Sequence, residues 1–194
     1  LNDPVWISAP IFVDSSNFVT LDNIEIRNEK VSNVSSGVFR SAISVSGGSG
    51  ITIQNCYIHG WSIQNPQIGS DSFPSGGIAF FGGSTGGVVK NCILDGSPEA
   101  NSGVGIYGGA VIQENIIENV PNAIVVTDPA ADVSGNQVFN VTYSADPYMS
   151  NNSIFVYTSG RVYNNTVHNL VPGASAIYLE SALSGTGNTQ YVYN

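Results

Sequence analysis

The sequence predicts an all-β chain wound as a right-handed, single-stranded parallel β-helix, a solenoid of about seven turns. Three observations predict it. A short pattern of core-type residues recurs along the chain, a second short strand with period-two alternation precedes each copy, and no such segment is long enough to be a helix.

The recurring pattern is a small or apolar residue followed by core-type residues at offsets two, five and seven. Six complete copies are Val19, Leu21, Ile24, Ile26; Ile51, Ile53, Cys56, Ile58; Gly87, Val89, Cys92, Leu94; Ala110, Ile112, Asn115, Ile117; Ala131, Val133, Asn136, Val138; and Gly160, Val162, Asn165, Val167. A weaker seventh is Thr186, Asn188, Tyr191, Tyr193. Their last apolar members are separated by 32, 36, 23, 21 and 29 residues, which is the period of a stacked repeat.

The preceding strands carry Ile11/Val13, Ile43/Val45, Ile78/Phe80, Val104/Ile106, Ile124/Val126, Ile154/Val156 and Ile177/Leu179. Each turn therefore supplies three short strands and the bends between them. One turn alone has too little core to stand, but each strand can pair in parallel with its equivalent one turn later, at a spacing of about 4.8 Å. Variation in repeat length goes into loops, of which 59–76 and 139–153 are expected to be the longest. Gly82-Gly83-Ser84-Thr85-Gly86-Gly87 reads as a permissive corner, because glycine tolerates a left-handed backbone.

At offset five, Asn115, Asn136 and Asn165 fall on consecutive turns, and Cys56 and Cys92 occupy the same column on the turns before them. An inward asparagine ladder would satisfy backbone groups otherwise buried unpaired. The competing reading is ordinary enrichment of asparagine in turns. The cysteines fit small buried thiols, although their inferred separation also permits a disulfide.

The whole chain, 1–194, reads as one domain, with its strongest repeats over 11–180. The abrupt start at Leu1-Asn2-Asp3-Pro4 suggests an excised or incomplete part of a longer helix. A formal charge of −9 disfavours nucleic acid and anionic membrane surfaces as partners, and no apolar run is long enough for membrane insertion. Sequons at Asn33, Asn140, Asn151 and Asn164 permit an extracellular glycoprotein, secreted or at the cell surface.

Gly50-Ile51-Thr52-Ile53-Gln54-Asn55-Cys56-Tyr57-Ile58-His59-Gly60 and Gly87-Val88-Val89-Lys90-Asn91-Cys92-Ile93-Leu94 carry a resemblance that extends over about residues 5 to 193. The chain resembles the right-handed parallel β-helix (pectate-lyase-like) superfamily, which includes pectate lyases, polygalacturonases, alginate and chondroitin lyases, epimerases and phage tailspikes. The resemblance implies the architecture and a glycan-related setting, with no specific enzyme family matched. The superfamily's usual cap at the first turn is not visible before Val5, which suggests absent upstream sequence or another polypeptide over that end. His59-Gly60 resembles one polygalacturonase element, but no matching basic motif follows.

Alternation then gives the outward positions of the first strands: Phe12; Ser44 and Ser46; Ala79 and Phe81; Gly105 and Tyr107; Val125 and Thr127; Phe155 and Tyr157; Tyr178 and Glu180. Phe81, Tyr107, Phe155, Tyr157 and Tyr178 form either a platform for sugar rings, with Arg40 close enough to reach it, or a seam covered by a loop or partner. A second outward column follows the third strands: Arg27, His59, Asp95, Glu118, Phe139 and His168. There Asp95 and Glu118 fall on adjacent turns, suiting two-carboxylate glycoside chemistry or a shared cation such as Ca2+, and His59 beside Asp95 is the alternative base. A solvated polar column in an acidic protein is the plainer reading.

A lyase needs a group to neutralise its substrate's carboxylate, and Arg27, Lys30, Arg40, Lys90 and Arg161 form no cluster in sequence. Asp71, Asp128 and Asp132 are loop acids of the kind that bind Ca2+, but they lack the dense pattern of a calcium loop, so no metal ligands are assigned and no cofactor is firmly implied. Two function classes remain open. One is an extracellular carbohydrate-binding or polysaccharide-processing domain, a glycosidase or lyase if catalytic. The other is a structural or adhesive surface domain that meets a flanking domain, or itself, at the helix ends.

Overall fold

The computed structural model describes residues 5–7, 10–28, 30–32, 41–64, 76–96, 103–143, 151–157, 159–179 and 190–193. Three seven-stranded sheets, all parallel, form the faces of a column. The first face stacks Ile11–Asp14, Ile43–Ser46, Gly76–Phe81, Val104–Tyr107, Asn122–Val126, Asn152–Val156 and Ser175–Leu179. The second stacks Thr20–Asp22, Thr52–Gln54, Val88–Lys90, Val111–Gln113, Ala131–Ser134, Gly160–Tyr163 and Gln190–Tyr193. The third stacks Val5–Ile7, Ile24–Arg27, Tyr57–His59, Ile93–Asp95, Ile116–Glu118, Gln137–Val141 and Thr166–Leu170.

Strands of three to six residues hold together because their inward columns are mainly apolar. Ile26, Ile58, Leu94, Ile117, Val138 and Val167 are successive register partners, and all but Val167 are fully buried. Ile43, Ile78, Ile106, Ile124 and Ile154 make an equivalent column on the first face. β-branched side chains suit such a surface, since each packs on the same residue type one rung away.

The ladder forms as the offset-five pattern predicts. Asn115 Oδ1 accepts from the Cys92 N–H at 2.9 Å, Asn136 Oδ1 from the Asn115 N–H at 3.0 Å, and Asn165 Oδ1 from the Asn136 N–H at 2.9 Å. Each amide also donates to a backbone carbonyl, of Val89, Ile112 or Val133. Cys56 and Cys92 continue the column as free, buried thiols whose Sγ atoms point at the carbonyls of Gln54 and Lys90. The hydrogen bond with Cys56, and then burial, push the Cys92 thiol well up, so it stays protonated.

One residue ahead of this column the chain turns from second to third face in a left-handed conformation. Asn23, Asn55, Asn91 and Asn164 have φ of 53° to 56° there, Gly135 has 67°, and Glu114 has 56°. Asparagine and glycine are the residues that adopt such φ most readily, so Glu114 is the exception in its own column.

Four expectations need correction. Val104 pairs with Gly76 and packs outside the column with Val125 and Phe155; it does not share Ile78's column. Gly105, expected to face outward, turns inward, because a Cβ there would meet Ile117 Cγ2 at 2.8 Å. The chain bends at this point, so Gly105 and Ile106 both face the interior. The seventh copy of the pattern is shifted, since Val192 and not Asn188 is the partner of Val162. Finally, part of the expected loop 59–76 is strand: Ser62–Gln64 pairs in parallel with Lys30–Ser32 as a small fourth sheet.

Candidate functional site

The outward side of the third face carries the column expected from the sequence. Arg27, His59, Asp95, Glu118, Phe139 and His168 are successive register partners, so Asp95 sits between His59 and Glu118 at about one strand spacing, roughly 4.8 Å between backbones, from each. Two residues earlier, and therefore on the same outward side, runs a second column: Glu25, Tyr57, Ile93, Ile116, Gln137 and Thr166.

Glu25 ties the two columns together at one end. Its Oε1 and Oε2 accept from Arg27 Nε at 2.6 Å and Nη2 at 2.9 Å, and Oε1 lies 3.0 Å from His59 Nε2. Hydrogen bonds from Arg27 and then His59 hold the Glu25 carboxyl down at about 2. His59 is further fixed by stacking on Tyr57, with ring centroids 4.2 Å apart and planes 16° apart.

The central carboxylates are not equivalent. Asp95 Oδ1 accepts from Asn119 Nδ2 at 2.6 Å. Glu118, by contrast, has its carboxyl pushed above the ordinary range, by burial first and by the Asp95 charge second. A carboxyl raised above its ordinary range beside a second carboxyl is an arrangement that can divide acid from base or nucleophile. Burial, followed by the charges of Asp95, Glu118 and Glu25, also raises the Tyr57 phenol. Beyond Glu118, Phe139 and His168 stack with centroids 5.3 Å apart and planes 4° apart. Tyr57 and Ile93 remain 38% and 40% exposed, so this strip offers open apolar surface beside its charges.

The first face differs. Tyr107 and Tyr157 are half-buried, Tyr178 is exposed, and Phe155 is 4% exposed, packed against Tyr157 at 4.3 Å and edge-on to Tyr178 at 5.1 Å. Ala79 and Val125, on the same outward side, are wholly buried. Burial pushes the Tyr107 phenol up, with Tyr157 adding to it. These rings and Val104 form a small outward core. Phe81 is half-buried at the margin of this face, and Arg40 lies outside the described residues.

Asn140 and Asn164 are exposed with left-handed φ, the first within the strand Gln137–Val141 and the second at a corner, whereas Asn151 is half-buried and its Ser153 fully so; Asn33 lies outside the described residues. Among the described residues, no group of three or more His, Cys, Asp or Glu could hold a metal, and no helix is long and apolar enough to cross a membrane. Asp71 lies outside the described residues, and Asp132 is bound by Arg161, Ser134, Tyr163 and Gln113.

Glu25, Tyr57 and Asn119 are the parts of the strip that sequence reasoning missed. Glu25 and Tyr57 carried a usable signal, since each stands two residues before a member of the outward column. Asn119's reach to Asp95 carried none.

Three parallel faces, an inward amide ladder and a polar outward strip define the class: a parallel β-helix with side chains displayed along its rungs. The chain belongs to the family described as right handed beta helix region, whose model matches residues 8–171. No curated protein and no solved structure matches it.

Proposed function

We propose that this is a secreted or cell-surface carbohydrate-binding or polysaccharide-processing β-helix domain, with a glycan lying along the outward side of the third face. The observation that supports this is the pairing of Asp95 with Glu118 in an exposed strip, flanked by the Tyr57–His59 and Phe139–His168 stacks. Ring faces suit the apolar faces of sugars, and two neighbouring acids, one of them raised above its ordinary range, suit glycosidic-bond cleavage. Glu118 takes the role of acid, Asp95 that of nucleophile or base, and His59, oriented by Glu25, that of an alternative base.

A neutral glycan fits better than a polyuronate. Among the basic side chains that are described, Arg27 and Arg161 are already engaged by Glu25 and Asp132, and Lys90 lies on the second face. The test is affinity electrophoresis and reducing-end release over a panel of neutral and acidic polysaccharides. Tyr57→Ala should weaken binding by about tenfold, the worth of one good ring contact. Asp95→Asn and Glu118→Gln should each abolish any cleavage while leaving the fold intact. Unchanged retention and turnover in all three variants would remove this strip from consideration.

A structural or adhesive role is the second reading. Leu179 and Val192 occupy inward register positions yet are 44% and 47% exposed, so that end of the described column offers apolar rungs to a flanking domain or a second copy.

A further inference from the structure

The corner between first and second faces changes length from turn to turn. Six residues, 82–87, separate Phe81 from Val88; three, 108–110, separate Tyr107 from Val111; and four, 127–130, separate Val126 from Ala131. A short corner stacked between two longer ones leaves a notch. It measures about 140 Å³ and is lined by Phe80, Ser84, Thr85, Gly87, Gly109, Thr127, Asp128 and Pro129.

The notch is floored by glycine. Phe80 is 5% exposed, so little of its ring reaches the notch; at the Gly109 φ of 91° any side chain is strained, which keeps the floor flat. Both walls are braced. Thr85 exchanges backbone hydrogen bonds with Gly48 and Gly50 at 3.1 Å each. On the opposite wall Asp128 Oδ1 accepts from the Ala130 N–H at 2.9 Å, and the Pro129 carbonyl accepts from Ser159 Oγ at 2.8 Å. Ser84, Thr85, Thr127 and Asp128 are the polar residues of the lining.

We propose that this notch binds a single neutral sugar ring, at a site separate from the third-face strip and independent of the function assigned there. A flat glycine floor lined by three hydroxyl-bearing residues and one acid suits a polyol: hydroxyls give and accept hydrogen bonds, and a carboxylate accepts from the sugar's own hydroxyls. The volume is well below the roughly 300–1,000 Å³ of sites for larger ligands, so the occupant is one ring and not a chain. Asp128 repels an anionic sugar, as does the formal charge of −9. One carboxylate is also too few for calcium, which takes about six to eight oxygens, usually from several acids.

The experiment is saturation-transfer NMR on the full chain with the methyl glycosides of glucose, galactose, mannose and xylose, with galacturonate and CaCl2 as comparators. At least one neutral glycoside should bind saturably with a Kd of the order of 1 mM. Asp128→Ala should weaken it about tenfold, the worth of one charge-assisted hydrogen bond. Ser84→Trp, which fills the opening, should abolish it without changing the circular dichroism spectrum; should that variant not fold, Asp128→Ala decides. Tyr57→Ala and Glu118→Gln should leave this binding unchanged, which separates it from the third-face site. Failure of all four glycosides to bind, equal binding by the Asp128→Ala protein, or binding of Ca2+ alone would overturn the proposal.

Discussion

Two columns run up this molecule at the same spacing, one inside and one outside, and they obey different rules. The inner column, Cys56, Cys92, Asn115, Asn136 and Asn165, places like residues together, and each asparagine fulfils its neighbour's need for a partner. The outer column, Arg27, His59, Asp95, Glu118, Phe139 and His168, places unlike residues together, and at its centre two acids are neighbours. Stacking in register amplifies whatever each rung supplies. In the interior that amplification demands satisfied hydrogen bonds, because an orphaned polar group has no water to turn to. On the surface water covers the remainder, so charges that oppose one another can persist.

The sharpest way to break the comparison is to delete one rung of each. Asn136→Ala removes the acceptor for both the Asn115 N–H and its Nδ2, and the donor to the Ile112 carbonyl, all in buried surroundings. The loss should be about 3 kcal/mol in denaturant unfolding, the sum expected from several stranded polar groups. Asp95→Ala, half-buried on the outer column, loses only its bond from Asn119 and should cost under about 1 kcal/mol. A loss below about 1 kcal/mol for Asn136→Ala would show that water can enter the column and that the ladder is not what holds these rungs.

The same contrast explains what the sequence made legible. The inner register could be read because burial restricts each position in the six complete copies to few residue types: Ile, Val and Leu at offset seven, Ile, Cys or Asn at offset five. The outer register followed from it by alternation, which is why His59, Asp95 and Glu118 fall together as expected. What could not be read was which outward face is open. The aromatic first face looked like a surface because Phe155 and Tyr157 alternate with apolar residues, yet its rings pack on one another and on Val104 and Val125. Nor does period two reveal a bend such as that at Gly105, where two consecutive residues face inward.

A smaller effect lies at the corner feeding the ladder. Glu114 holds φ of 56° where the other turns place asparagine or glycine. Glu114→Asn should therefore stabilise by about 0.5–1 kcal/mol, because asparagine tolerates this conformation with less strain. If Glu114→Asn gains nothing, the corner is less demanding than its column of asparagines implies.

The smallest effects separate two acids of the outer face by their sign. The Glu25 carboxyl is held at about 2 against an ordinary 4.5, so the unfolded chain takes up a proton first as pH falls. Its stabilisation is full above pH 4.5 and is lost as pH drops through about 2. Glu118 is raised above its ordinary 4.5, so the folded chain takes up the proton first. Its penalty is full at neutral pH, shrinks as pH falls through its raised value and is gone below 4.5. Glu118→Gln should accordingly raise stability at pH 7 by about 0.5 kcal/mol, the cost of like charges on adjacent strands, with the advantage vanishing in mild acid. Glu25→Gln should lower stability at pH 7, and its deficit should survive mild acid and close only near pH 2. Melting temperatures of both variants across this range provide the check. Parallel profiles would mean that the Arg27–His59 end and the Asp95–Glu118 centre are electrostatically alike, removing the raised Glu118 carboxyl on which its role as acid depends.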